Sequence, residues 1–85
     1  MNEIEYEIID ELYFVTSFPD IAQALSLEEE ELCRNLLDLI KQGYVKAYFP
    51  DPDTEVELAE QQFKQNCNKY FFLATKAGLI VHNSR

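Results

Sequence analysis

The side chains best suited to nucleophilic, redox or metal chemistry near neutral pH are Cys33, Cys67 and His82, and each stands apart from the others. Zinc and redox pairs place cysteines a few residues apart, because two short side chains must reach one metal or each other. The spacing here predicts two reduced thiols, with a disulfide as the less favoured alternative. A metal shared by His82 and both cysteines would have three scattered ligands, so packing roles and no metal site are expected. No nucleophile, base and orienting group sit at working spacing, which argues against an enzyme. Gly43 and Gly78 occur singly, at positions suited to a turn and a cap, so neither a phosphate-cradling loop nor a cofactor is expected.

What remains is recognition chemistry, concentrated between residues 28 and 37. Glu28, Glu29, Glu30 and Glu31 set four carboxylates in a row, followed by Arg34 and Leu37. On a helix Glu30, Glu31 and Asp38 all reach Arg34, so its charge is answered locally. The acidic run reads either as a solvated helix start, where the dipole favours acids, or as an acidic docking surface. The chain carries a formal charge of −9, which opposes a polyanionic partner. Residues 1 to 62 hold all 16 acids against Arg34, Lys41 and Lys46, whereas the remainder holds Lys64, Lys69, Lys76 and Arg85.

These residues need a small scaffold to position them. With 85 residues, 47% hydrophobic and 13% aromatic, the chain suits one domain spanning residues 1–85 around a modest core. It has no charged and apolar leader and no apolar run near the roughly 20 residues that span a bilayer, which predicts a soluble cytoplasmic protein with no membrane partner. Ile4, Ile8, Leu12 and Val15 form one stripe, widened by Ile9 and Tyr13, and predict a helix from Glu3 to Phe14. Asn2 and Glu5 offer its capping box, and its acids are expected on a solvated face. Tyr6 and Phe14 fall off the stripe, as a dimer contact or as residues partly covered by the C-terminus.

Ser17, Pro19 and Asp20 open a second helix ending at Leu25, and Ser26 with Glu29 repeats the signal for a third, lasting to about Gln42 before Gly43 stops it. Tyr44–Phe49 and Tyr70–Ala74 are β-prone and are expected to pair as a hairpin. The connection from Pro50 to Asn68 is too long to lack structure in a domain this small. Thr54 with Glu57, and the period of Val56, Ala59 and Phe63, predict a helix from Glu55 to Gln65, extended strands being the alternative. Such a helix needs an apolar surface to cover, and the shoulder of the third helix at Cys33 and Leu37 is the candidate. Leu79, Ile80 and Val81 then suit a turn or short helix before the Asn83-Ser84-Arg85 tail.

Ile21, Ala22, Leu25, Ser26 and Leu27, followed by Leu32, Leu36, Leu39 and Gly43-Tyr44-Val45, resemble in spacing the helix-turn-helix of winged-helix transcriptional regulators. Thr75-Lys76-Ala77-Gly78-Leu79 is similar to the T-x-x-G-L that follows their last wing strand, with Ala74 in place of the usual leucine. The resemblance implies an α+β winged helix, a three-helix bundle plus a hairpin wing, here with a long insertion. It implies further that the third helix is the one that enters the DNA major groove, that Cys33 and Leu37 stand where DNA approaches, and that the C-terminal region dimerises. The chain departs from that pattern at Glu28, where relatives place a Ser or Thr cap, so the cap is expected at Ser26 instead.

Glu28–Glu31 also replace the Ser, Thr, Gln or basic residues of DNA-binding relatives. A helix N-terminus attracts phosphate by roughly 1 kcal/mol, which cannot offset several like charges. The sequence therefore predicts a regulatory or adaptor module that binds a protein partner through Glu29, Glu30, Arg34 and Leu37 and forms a homodimer. The alternative is a dimeric regulator that contacts double-stranded DNA through Arg34 and the wing lysines Lys46, Lys64 and Lys69.

Overall fold

The computed structural model describes residues 1–57 and 59–84. Leu58, inside the predicted insertion helix, and Arg85, at the end of the predicted tail, lie outside the described residues. In chain order the elements are α1 (Glu3–Asp10), β1 (Thr16–Ser17), α2 (Phe18–Leu25), α3 (Glu29–Lys41), β2 (Val45–Tyr48), β3 (Glu55–Val56), α4 (Glu60–Asn66), a 3-10 turn (Cys67–Lys69), β4 (Phe71–Ala74) and α5 (Lys76–Asn83). This is an α+β chain whose four strands form one antiparallel sheet in the order β1-β4-β2-β3. The two strands expected to pair do so, with Val45 opposite Ala74 and Tyr48 opposite Phe71. The two-residue strands β1 and β3 extend the sheet at both edges, and of these only β1 was unexpected from the sequence.

Ile8, Ile9 and Leu12, Ile21 of α2, and Leu32, Leu36 and Leu39 of α3 close on Phe72 of β4, and all are excluded from solvent. The α1 capping box forms as expected: the Glu5 N–H donates to Asn2 Oδ1 at 2.8 Å and the Asn2 N–H donates to Glu5 Oε1 at 2.9 Å. Glu5 does not belong to the solvated face, however. It is buried and accepts a second hydrogen bond from Gln42 Nε2 at 3.3 Å, tying the start of α1 to the end of α3. The first helix also stops at Asp10 rather than Phe14. The Leu12 carbonyl is taken by the Ala74 N–H at 3.0 Å, and the chain leaves the helix to form β1 beside β4. Phe14 is consequently 82% exposed.

Ser17 caps α2 as expected. Ser26, by contrast, does not open α3. It closes α2 in the left-handed region, φ 54°, where the Leu27 N–H donates back to the Ala22 carbonyl at 3.1 Å. That paired closure satisfies the last carbonyls of α2 and leaves Glu28 as the α3 cap residue with no side-chain cap bond. The same motif ends α3 at Gly43, φ 80°, where Gly43 and Tyr44 N–H groups reach the Ile40 and Leu39 carbonyls at 3.0 and 2.9 Å.

The insertion realises both alternatives in turn. Thr54 is a turn residue and not a cap, because its hydroxyl donates to Asp51 Oδ1 at 2.9 Å alongside the Asp53 N–H. Val56 then lies opposite Ala47 in β3, and the helix begins only at Glu60. Thr75 caps α5 through the Gly78 N–H at 3.1 Å and donates to the Gly43 carbonyl at 2.7 Å, which pins α5 on the turn after α3. A Cβ at Gly78 would run into the Tyr44 carbonyl.

Two substitutions test this backbone account by urea denaturation. Gly78→Ala forces α5 away from Tyr44 and should destabilise the chain by about 1–3 kcal/mol. Ser26→Gly removes the left-handed penalty at the cost of unfolded-state entropy and should stabilise by about 0.5 kcal/mol.

Candidate functional site

The 13 residues of α3 divide into three faces. Leu32, Leu36, Leu39 and Asn35 point inward, Asn35 being buried with its amide donating to the Glu31 carbonyl at 2.8 Å and accepting from Asn2 at 3.4 Å. Glu29, Glu30, Arg34, Asp38 and Lys41 are exposed. Cys33 and Leu37 form a flank that meets α4.

A helix of seven residues without a side-chain cap cannot hold itself together. Tertiary ties supply what α4 lacks. Phe63 is wholly buried, nearly parallel to Tyr70 at 5.9 Å between centroids and edge-on to Phe72 at the same distance. Such aromatic pairs add about 0.5–1.5 kcal/mol beyond simple burial. Cys33 and Cys67 are joined by a disulfide across 5.9 Å between Cα atoms. The expectation of two free thiols is thereby corrected. With 34 residues of separation, the cross-link limits the unfolded chain enough to contribute about 3–4 kcal/mol in the chain-entropy model.

Lys41 on α3 pairs with Glu60 on α4. The hydrogen bond to Glu60, then its charge, raise the Lys41 ammonium above the ordinary lysine value. The same hydrogen bond and the Lys41 charge, aided by Lys64, hold the Glu60 carboxyl below the ordinary glutamate value.

Between α3 and α4 lies an open groove of about 640 Å³. The structure brings Glu29, Glu30, Arg34, Leu37 and Lys64 together on its walls and floor. Leu37 is only 9% exposed and forms floor, which matches the cover expected of the insertion helix and leaves it no projecting contact. Lys46 and Lys69 are elsewhere. Lys46 is half-buried beside β3 with its ammonium 3.8 Å from Glu55, and Lys69 is exposed at the end of the 3-10 turn. Of the three wing lysines, only Lys64 lines the groove.

The sequence reading ranked the disulfide below two reduced thiols and did not foresee the Lys41–Glu60 pair. One signal was present for the first: Phe63 and Cys67 are four apart and so share a side of α4, facing the shoulder where Cys33 sits. Nothing local could have paired Lys41 with Glu60. His82 works at the other end of the molecule, where its Nε2 lies 2.6 Å from Asp10 Oδ1 and its ring centroid 5.5 Å from that of Tyr6, fastening α5 to α1. It does not join the cysteines. Among the described residues no group of three or more His, Cys, Asp and Glu is placed to hold a metal, and no helix is long and apolar enough to cross a membrane.

The Lys41–Glu60 tie has a defined pH window. Because the Glu60 carboxyl is lowered, its contribution is present above the ordinary glutamate value and is lost as pH falls through the lowered one. Because Lys41 is raised, its contribution is present below the ordinary lysine value and is lost as pH climbs through the raised one. Amide exchange in α4 should thus show an acid step in the wild-type chain, and Glu60→Gln should remove that step while speeding exchange at neutral pH. Compared with protein-family models, with curated proteins and with solved structures, the chain has no match. The groove's function has to come from its own chemistry.

Proposed function

We propose that the chain is a winged-helix regulatory or adaptor module, with α2 and α3 as its helix-turn-helix and β2 and β4 as the wing strands. In this reading the outer face of α3 binds a protein partner and not DNA. One observation carries it: the start of α3 exposes Glu28, Glu29 and Glu30 with no side-chain cap and no cation in ion-pair contact among the described residues. Lys41 and Lys46, which a DNA reader would turn to phosphate, each face a carboxylate. Affinity for duplex DNA comes mainly from cations that displace phosphate counterions, and here the leading charges have the opposite sign.

The partner that fits is a protein with a basic patch, met by Glu29 and Glu30, with Arg34 fixing orientation on the groove wall. Self-association belongs to the same proposal, since Phe14 and Ile80, 82% and 55% exposed, leave apolar surface available to a second copy.

Three measurements test the reading. Fluorescence anisotropy against mixed-sequence duplex DNA at low salt should give no binding, and salt-sensitive micromolar binding would return the gene-regulator alternative. A Glu29→Lys, Glu30→Lys chain should keep its circular dichroism and lose the protein that the wild type captures; equal capture by both would remove the acidic face from recognition. Sedimentation completes the set, with Phe14→Ser expected to shift a dimer toward monomer.

A further inference from the structure

We propose that the Cys33–Cys67 bond is a thiol-exchange site, opened by a low-molecular-weight thiol of the glutathione class that enters the groove and attacks the Cys33 sulfur. The proposal stands on the bond's position and does not depend on what α3 binds. Both cysteines line the open groove, and Cys33 is the more accessible, half-buried against 5% exposure for Cys67. A disulfide kept only for stability is ordinarily shut away from thiols, whereas exposed ones are the labile and regulatory class.

The step balances without any further reagent. The incoming thiolate bonds to Cys33 Sγ, the sulfur–sulfur bond breaks, and Cys67 leaves as a thiolate that takes a proton from water. A second thiolate then attacks the small molecule's sulfur in the mixed disulfide, releasing the Cys33 thiolate. One protein disulfide is reduced, and two small thiols are oxidised to their own disulfide.

What changes is the hold on α4. That helix is seven residues long and lacks a side-chain cap, so it depends on Phe63, on the exposed Lys41–Glu60 pair and on the disulfide. Losing the covalent tie leaves the two non-covalent ones. The segment from Glu60 to Cys67 then opens more often than the rest of the chain, uncovering Leu37 and widening the groove on α3. In a reducing compartment, where persistent disulfides are rare, this bond would report the thiol balance.

The test uses the full oxidised chain in native buffer with millimolar reduced glutathione, quenched by alkylation and mapped by mass spectrometry, with amide exchange followed in parallel. The expected result is a mixed disulfide on Cys33, then two alkylated thiols, with residues 60–67 of the reduced chain exchanging about ten-fold faster than Ile8, Ile9 and Leu36. A Cys33→Ser, Cys67→Ser chain should show the same loosened α4 with no thiol added. The proposal is overturned if the bond reacts only after denaturant is added, or if the first adduct lies on Cys67. It is equally overturned if reduction leaves α4 exchange unchanged or raises exchange evenly along the chain.

Discussion

The segment between β3 and β4 must bury Phe63, and the character of α3 follows from that requirement. A seven-residue helix cannot cover a phenyl ring by itself, so Phe63 inserts between Tyr70 and Phe72 and draws α4 against the flank of α3. Once it is there, the next turn delivers Cys67 to Cys33 and the first turn delivers Glu60 to Lys41. Leu37 becomes groove floor as a consequence. The outward surface left to α3 is its charged face.

That face is presented on a helix fixed from every other side. Leu32, Leu36 and Leu39 seat it on the core, Asn35 and Gln42 tie it to the capping box of α1, and the paired bonds at Gly43 end it where Thr75 anchors α5. A surface held this way loses little conformational freedom on binding, which favours specific recognition over adaptive contact. Its leading charges are negative, so under the proposed reading that rigidity would serve a basic protein surface in place of DNA.

Much of this was legible in the sequence, where local rules and tertiary outcome agree. The capping residues Asn2 and Ser17, the stop at Gly43, the pairing of β2 with β4 and the inward leucines of α3 all follow from period and cap chemistry, and the cap at Thr75 is the one the T-x-x-G-L resemblance implies. The misplaced element boundaries come from competing hydrogen bonds that overrode a local pattern, close in sequence at Ser26 and Thr54 and long-range at Leu12. Ser26 carried a valid capping signal but was needed in the left-handed region to close α2. Thr54 with Glu57 looked like a capping box, yet Asp51 captured the threonine hydroxyl and β2 captured the following residues. The end of α1 was misplaced because β4 took the Leu12 carbonyl. In the groove, the outward positions of Glu29, Glu30 and Arg34 followed from helical spacing and the cover at Cys33 and Leu37 from the insertion's need for an apolar surface, whereas the cysteine pair required knowing how α4 docks.

The docking of α4 can be observed directly in the oxidised chain by nuclear Overhauser contacts. Ring protons of Phe63 should show contacts to Tyr70 and Phe72, and Leu37 methyl protons should show contacts to side chains of α4. Random-coil shifts over residues 60–66, with Leu37 methyls broadened by a solvent paramagnetic agent, would contradict the account, because α3 would then present an open apolar flank.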